Sequence, residues 1–282
     1  AQSGAAAVIQ GEGGAGVFAP NAFVRVAPDD TVTVLIKHIE FGQGPFTGLS
    51  TLVAEELDAD WSQMRAEHAP ANAELYKNLA FGLQGTGGST AIANSYMQMR
   101  RAGAAARAML VAAAAGEWGV PASEITVSKG VIAHDGTGNR AGFGAFAEAA
   151  ARETPPEDPA LKDPADFTLI GTEVEKLDSA AKSDGSAQFT IDVYRDGMLI
   201  VAMAHPPKFG ATVASVNAEP ALAIGGVERV ETLSTGVAVY ARNTHAAFKG
   251  RDALEVTWDE SGAETRSSEE MAGLWAEAAR SG

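Results

Sequence analysis

The stretch that decides the fold of this chain is residues 31–58, TVTVLIKHIEFGQGPFTGLSTLVAEELD. Its first seven residues alternate in a way that predicts a β-strand, and residues 47–57 predict a helix. Between them stand Gly42, Gln43 and Gly44, which place one amide side chain between two residues without a Cβ atom. Glycine permits close approach of a ligand, and an amide both donates and accepts hydrogen bonds. These residues predict either a cofactor-binding edge or a plain turn from strand to helix.

A second glycine-rich segment, residues 85–90, reads Gly-Thr-Gly-Gly-Ser-Thr and precedes a long predicted helix. One face of that helix is formed by residues at alternating four- and three-residue spacings, namely Ile92, Tyr96, Met99, Gly103, Ala106 and Leu110. Free backbone N–H groups at a helix start stabilise an anion such as a diphosphate. The alternative is that Ser89 or Thr90 only caps the helix. No Lys follows the glycines and Gly-x-Gly-x-x-Gly is missing, which excludes a P-loop and a dinucleotide fingerprint.

The other segments predict a mixture of strands and helices, and the fold class is therefore α+β (mixed α/β). The predicted strands are residues 23–26, 31–36, 61–68, 124–127, 131–134, 187–193, 198–204, 211–216, 227–233, 236–241 and 254–258. Shorter helices are predicted at residues 144–152, 219–223 and 244–251. Ser267 and Glu270 have the spacing of a capping box and predict the start of a last helix.

Composition limits the class of protein. A chain of 282 residues that is 46% apolar and 20% charged is long enough for two domains with buried cores. Its net charge of −15 argues against nucleic acid as a partner, and no apolar run is long enough for a membrane span. With no cysteine and no paired histidine spacing, the sequence predicts no metal ligands and no iron–sulfur cluster in this chain. Glu55 and Glu56 fit the solvated face of a helix.

Several motifs, taken in order, carry a resemblance to a known family. They are residues 41–44 (FGQG), 53–58 (VAEELD), 86–90 (TGGST), 161–164 (LKDP) with 167–171, 177–178 (LD), 184–187 (DGSA), 250–254 (GRDAL) and 258–259 (WD). In these motifs the chain resembles the amino-terminal part of the molybdenum-binding large subunit of the xanthine dehydrogenase/aldehyde oxidase family. The order of the motifs is similar to that of the isoquinoline 1-oxidoreductase branch.

The resemblance implies a pterin-binding α/β piece followed by a β-rich, hammerhead-like domain. The expected divisions are a flexible head (1–19), a partial molybdopterin-binding domain (20–153), a linker (154–178), the hammerhead-like domain (179–265) and a terminal helix that begins a missing region (266–282).

The resemblance also implies the cofactor and its ligands. The cofactor would be molybdopterin cytosine dinucleotide with molybdenum, and a small partner subunit would carry two [2Fe–2S] clusters. Gly42, Gln43 and Gly44 would contact the pterin. The dinucleotide diphosphate would be held by Thr86, Gly87, Gly88, Ser89 and Thr90. The reaction would be hydroxylation of an N-heterocycle or aldehyde, with oxygen derived from water.

One departure from the family concerns catalysis. The glutamate that serves the family as general base, and the glycine-rich segment beside the metal, do not occur in these 282 residues. We therefore expect no catalytic residue here, and we expect this part alone to be inactive without the remaining carboxyl-terminal part of the large subunit. A non-catalytic or assembly role is the alternative. Kinship further implies a periplasmic protein exported by the twin-arginine route, with a cytochrome c subunit as a further partner.

Overall fold

The structure, a computed structural model, describes residues 16–282. The chain forms two compact units that divide between Ala187 and Gln188. Both units contain α-helices and β-strands, which confirms the α+β fold class. Residues 1–15, most of the predicted flexible head, lie outside the described residues.

The first unit is built from two sheets and several helices. In chain order its elements are β1 (Phe18–Asn21), β2 (Val24–Val26), β3 (Val32–Ile36), α1 (Pro45–Leu57), β4 (Met64–His68), α2 (Ala73–Tyr76), α3 (Ala91–Trp118), β5 (Ile125–Ser128), β6 (Val131–His134), β7 (Asn139–Gly142), α4 (Ala147–Ala150) and α5 (Ser179–Asp184). Strands β1 to β4 form one sheet in that order, and β5 to β7 form the other.

Residues 31–68 fold as a β-α-β unit. Strand β3 pairs in parallel with β4, and helix α1 connects the two strands. The helix begins at Pro45, two residues before its predicted start, because proline at the first helical position needs no hydrogen-bond acceptor. Strands β1, β2 and β3 are antiparallel.

The core of the first unit lies where α1 packs on α3. Val53 on α1 and Met99 and Leu110 on α3 are fully buried. Gly103 lets the helices approach closely, since a Cβ atom there would lie 2.6 Å from the carbonyl oxygen of Val53. None of the helices in residues 16–282, including the 28-residue α3, is long and apolar enough to cross a lipid bilayer.

The second unit is smaller and richer in strands. Its elements are β8 (Ile200–Ala204), β9 (Thr212–Asn217), α6 (Glu219–Leu222), β10 (Val227–Leu233), β11 (Gly236–Ala241), α7 (Thr244–Asp252), β12 (Glu255–Asp259) and α8 (Ser268–Ser281). One sheet has the order β10-β11-β8, and β12 pairs with β9. Ala246 and Ala247 of α7 are buried in a small apolar cluster with Ala202 and Ala241.

Two local predictions in this region have opposite outcomes. The capping box of α8 is confirmed, because Glu270 N donates to Ser267 Oγ and Ser267 N donates to Glu270 Oε2. The strand predicted at residues 187–193 is wrong, because Thr190–Asp192 forms a 3₁₀ turn. There the Asp192 carboxylate accepts a hydrogen bond from Phe189 N, and such local bonds compete with strand pairing.

Candidate functional site

The two predicted cofactor loops follow the carboxyl ends of neighbouring parallel strands. The first loop, residues 38–44, comes directly after the end of β3, and the segment that leads to the second loop, residues 85–90, comes after β4. Ligands of α/β sheets bind at such strand ends. Ile39 N donates to Thr86 Oγ1 at 2.9 Å, so a hydrogen bond joins the two loops directly.

Glu40 shapes the first loop. Its carboxylate accepts hydrogen bonds from the N–H groups of Gly42 (2.7 Å), Gly44 (3.2 Å) and Phe46 (3.1 Å), the last within α1. Burial alone would raise the pKa of Glu40, but these three donors hold it below its ordinary value. Gly42 and Gly44 have φ angles of 109° and 93°, a region that favours glycine. Glu40 therefore fixes the loop and the start of α1, a role that the sequence did not predict.

Gln43 closes the first loop with its own side chain. Its Oε1 accepts from Phe41 N at 2.8 Å, and its Nε2 donates to Ile39 O at 2.6 Å. A primary amide has two N–H groups and two lone pairs on oxygen. Gln43 is exposed and retains one N–H and one lone pair beyond these two bonds. The side chain is thus braced and still able to bind the edge of a heterocycle.

The second loop presents exposed backbone at the start of α3. Gly88 and Ser89 have positive φ angles of 59° and 54°. Thr90 Oγ1 donates to Gly87 O at 2.8 Å and accepts from the buried Asn78 Nδ2 at 2.8 Å. The expectation that Ser89 or Thr90 caps the helix is wrong, because no side chain of the described residues caps α3. Its first N–H groups therefore remain available to an anion.

A buried polar cluster behind the loops was not predicted from the sequence. Lys37 and His38, at the end of β3, are 3% and 1% exposed. Lys37 Nζ donates to the side chains of Asn94 and Gln98 on α3, and His38 Nε2 lies 3.2 Å from Ser95 Oγ. The polar residues Asn94 and Gln98, four apart on the predicted helix, were the available signal.

An apolar rim surrounds the two loops. Its exposed members are Ile39, Phe41, Leu79, Phe81, Leu83 and Ile92. Large exposed apolar groups near one site favour contact with a flat ring or with another protein surface.

The expectation that Glu55 and Glu56 form a solvated helix face is wrong. Both residues are buried, at 0% and 1% exposure. Glu56 pairs with Arg100 at 2.6 Å, and Glu55 pairs with Lys162 at 2.7 Å. Two carboxylates this deep in a protein need charged partners, and these partners lie far along the chain.

The geometry of the loops agrees with a comparison of the sequence with known families. A family model described as a molybdopterin cofactor-binding domain matches residues 3–193. The chain belongs to this molybdopterin cofactor-binding domain family. The matched range includes both loops and the described part of the first unit, and it confirms the family resemblance drawn from the motifs.

Curated relatives of this molybdopterin cofactor-binding domain include larger dehydrogenase chains. The beta subunit of isoquinoline 1-oxidoreductase from Brevundimonas diminuta is 33% identical over 85% of this chain and 35% of its own length. A membrane-bound aldehyde dehydrogenase [pyrroloquinoline-quinone] of Gluconacetobacter polyoxogenes is 32% identical over 87% of this chain and 32% of its own length. A nicotinate dehydrogenase subunit of Pseudomonas putida is 25% identical, over 84% and 20%. The chain thus spans about a third or less of these relatives.

The residues of the two loops fit a molybdopterin cofactor. Gln43 offers a free donor and a free acceptor to the heterocycle. The uncapped start of α3 suits phosphate oxygens. The two loops are joined by the Ile39–Thr86 hydrogen bond, so a single ligand can contact both.

Proposed function

We propose that this chain is the amino-terminal portion of a molybdenum hydroxylase large subunit. The single observation that carries the proposal is the hydrogen bond between Ile39 and Thr86, which joins two loops of complementary chemistry at one sheet edge. The family match supplies the identity of the ligand. By the names of the relatives, the substrate is an N-heterocycle or an aldehyde.

In this proposal each loop has its own task. Gly42, Gln43 and Gly44 bind and orient the pterin, and residues 86–90 hold the diphosphate of a cytosine dinucleotide. Glu40 keeps the first loop in shape by accepting three backbone hydrogen bonds. When bound, the cofactor supplies the molybdenum that transfers water-derived oxygen to the substrate and takes up two electrons. The residues of this chain bind and position that cofactor, and we assign none of them to proton transfer.

The proposal extends to the assembly. The remainder of the large subunit, a small subunit with two [2Fe–2S] clusters and a cytochrome c subunit are the proposed partners. Two of the relatives, the isoquinoline 1-oxidoreductase and nicotinate dehydrogenase chains, are named as subunits of their enzymes, which supports a multi-subunit enzyme. The second unit is proposed to be a hammerhead-like domain, and the enzyme is proposed to be periplasmic after twin-arginine export.

The test uses the full-length protein that contains this sequence, purified with its companions. We expect about one molybdenum and one cytidine nucleotide per large subunit, and ¹⁸O from labelled water in the hydroxylated product. Growth on tungstate is the control, because tungsten replaces molybdenum and should abolish turnover while the protein still folds. Pure protein without any pterin would refute the proposal. Pterin and nucleotide without turnover of any heterocycle or aldehyde would favour a non-catalytic role.

A further inference from the structure

Lys37 is a buried cation that neutral groups surround. Its Nζ donates hydrogen bonds to Lys77 O at 3.2 Å, Asn94 Oδ1 at 3.1 Å and Gln98 Oε1 at 2.7 Å. An ammonium group has three N–H donors, so all of them are used. Each acceptor is an amide oxygen, and Lys37 forms no ion pair within residues 16–282.

This arrangement is energetically costly for a purely structural residue. Burial lowers the pKa of Lys37 to about 8, which leaves it protonated in roughly nine of ten molecules at neutral pH. A residue of similar volume without charge would fill the same space without the desolvation cost. The positive charge is therefore held in place without a compensating carboxylate among the described residues.

One side chain connects Lys37 to the second loop. Asn94 Oδ1 accepts from both Lys37 Nζ and Leu79 N, while Asn94 Nδ2 donates to the carbonyl oxygen of Thr90. The carbonyl group of Lys77, which Lys37 also binds, lies on the segment that leads into this loop. A movement of Lys37 would thus disturb both the end of the loop and the chain before it.

The neighbouring titratable groups do not cancel the charge of Lys37. Burial and the charge of Lys37 hold the pKa of His38 below its ordinary value, so the imidazole is neutral at neutral pH. Glu40, the carboxylate of the first loop, is directed to three backbone N–H groups of its own segment.

We infer that Lys37 is a positioning residue for the anionic end of the cofactor: through Asn94 it fixes the second loop, and its unpaired charge favours an anion at the start of α3. The inference rests on the proposed function for the identity of that anion, the diphosphate of the dinucleotide. Lys37 acts through Asn94 and through its field, and it is not a catalytic residue.

The experiment compares Lys37→Met with Ile132→Ala in the full-length protein. Ile132 is a fully buried residue of β6, in the other sheet of the first unit, so its truncation lowers stability without touching the loops. The first readout is cytidine nucleotide per chain after purification. The second is the rise in melting temperature that inorganic diphosphate causes in cofactor-free protein, made in cells unable to synthesise the pterin.

We expect Lys37→Met to bind diphosphate about tenfold more weakly and to retain correspondingly less nucleotide, a change in the range of one buried charge contact. Ile132→Ala should lower the melting temperature but keep both the nucleotide and the diphosphate response. If Lys37→Met does not fold, Lys37→Gln is used, because it removes the charge and keeps a donor.

The outcomes separate this inference from the proposed function. Equal nucleotide content and equal diphosphate response in the wild type and Lys37→Met would overturn the inference and leave the proposed function intact. A parallel loss in Lys37→Met and Ile132→Ala would reduce Lys37 to a structural residue. Wild-type protein without pterin would refute the proposed function, and the diphosphate response would then decide the role of Lys37 by itself.

Discussion

Lys162 Nζ donates a hydrogen bond to Oε1 of Glu55 at 2.7 Å, although the two residues are 107 positions apart. The carboxylate of Glu55 also accepts bonds from the backbone N–H groups of Thr168, Leu169 and Ile170. The backbone N–H of Lys162 in turn binds Glu56 Oε2 at 2.9 Å. Helix α1 thus fastens part of the predicted linker to the first unit.

Replacing Glu55 with Gln should strongly destabilise the first unit. The change leaves Lys162 without its buried charge partner and points an amide N–H₂ group at backbone donors. Breaking a buried ion pair costs about 3–5 kcal/mol, and urea denaturation would measure the loss in unfolding free energy. Glu148→Gln is the control, since Glu148 forms an exposed pair with Arg152 that is worth less than about 1 kcal/mol. Similar losses in both variants would contradict the buried clamp.

The same carboxylate should make stability depend on acid pH. Burial alone would raise the pKa of Glu55, but Lys162 and the backbone donors lower it from 4.5 to about 2. The stabilisation is therefore complete above about pH 4.5 and is lost as the pH falls toward 2, because the unfolded chain takes up a proton that the folded chain does not. The loss amounts to roughly 3 kcal/mol. The gap in unfolding free energy between wild type and Glu55→Gln should narrow from pH 6 to pH 3, and parallel curves would refute this.

Two glycines of α3 should respond in opposite directions to replacement by Ala. At Gly103 the new Cβ would lie 2.6 Å from the carbonyl oxygen of Val53 and 3.1 Å from Cβ of Glu56, so α1 and α3 must separate. We expect a loss of about 1–3 kcal/mol. At Gly116 nothing lies within 4 Å of the new atom, and the higher helix propensity of Ala should add about 0.5–1 kcal/mol. Thermal unfolding of both variants tests the pair, and stabilisation by Gly103→Ala would show that the helices are loosely packed.

The features that sequence alone could predict are those with local causes. The strand and helix on either side of the first loop follow from periodicity and from Pro45, and the capping box of α8 follows from Ser267 and Glu270. Each of these signals acts within a few residues of its own position, so no tertiary partner is needed to read it.

The features that sequence alone could not predict depend on distant partners. Glu55 looked solvated because the groups that neutralise it come more than a hundred residues later. Lys37 and Asn94 meet only when the end of β3 lies against the first turns of α3, at a separation of 57 residues. At the candidate site, the glycine loops were visible in the sequence, whereas the buried polar support behind them was not.

Gln43 offers the most direct test of the first loop. Gln43→Ala removes two exposed hydrogen bonds to Phe41 N and Ile39 O, so its cost in unfolding free energy should stay within about 1–2 kcal/mol. Because it also removes the proposed pterin contact, the full-length variant should contain clearly less molybdenum per chain than the wild type. Metal analysis of the purified protein measures this.

Gln84→Ala is the matched control for that experiment. Gln84 likewise uses its amide for two local backbone bonds, accepting from Asn72 N at 2.9 Å and donating to Pro70 O at 3.0 Å. Its loss should therefore cost similar stability and leave the molybdenum content unchanged. If both variants keep their molybdenum, Gln43 is only a turn residue. If both lose it equally, the content reports general loosening of the loops rather than a contact between Gln43 and the pterin.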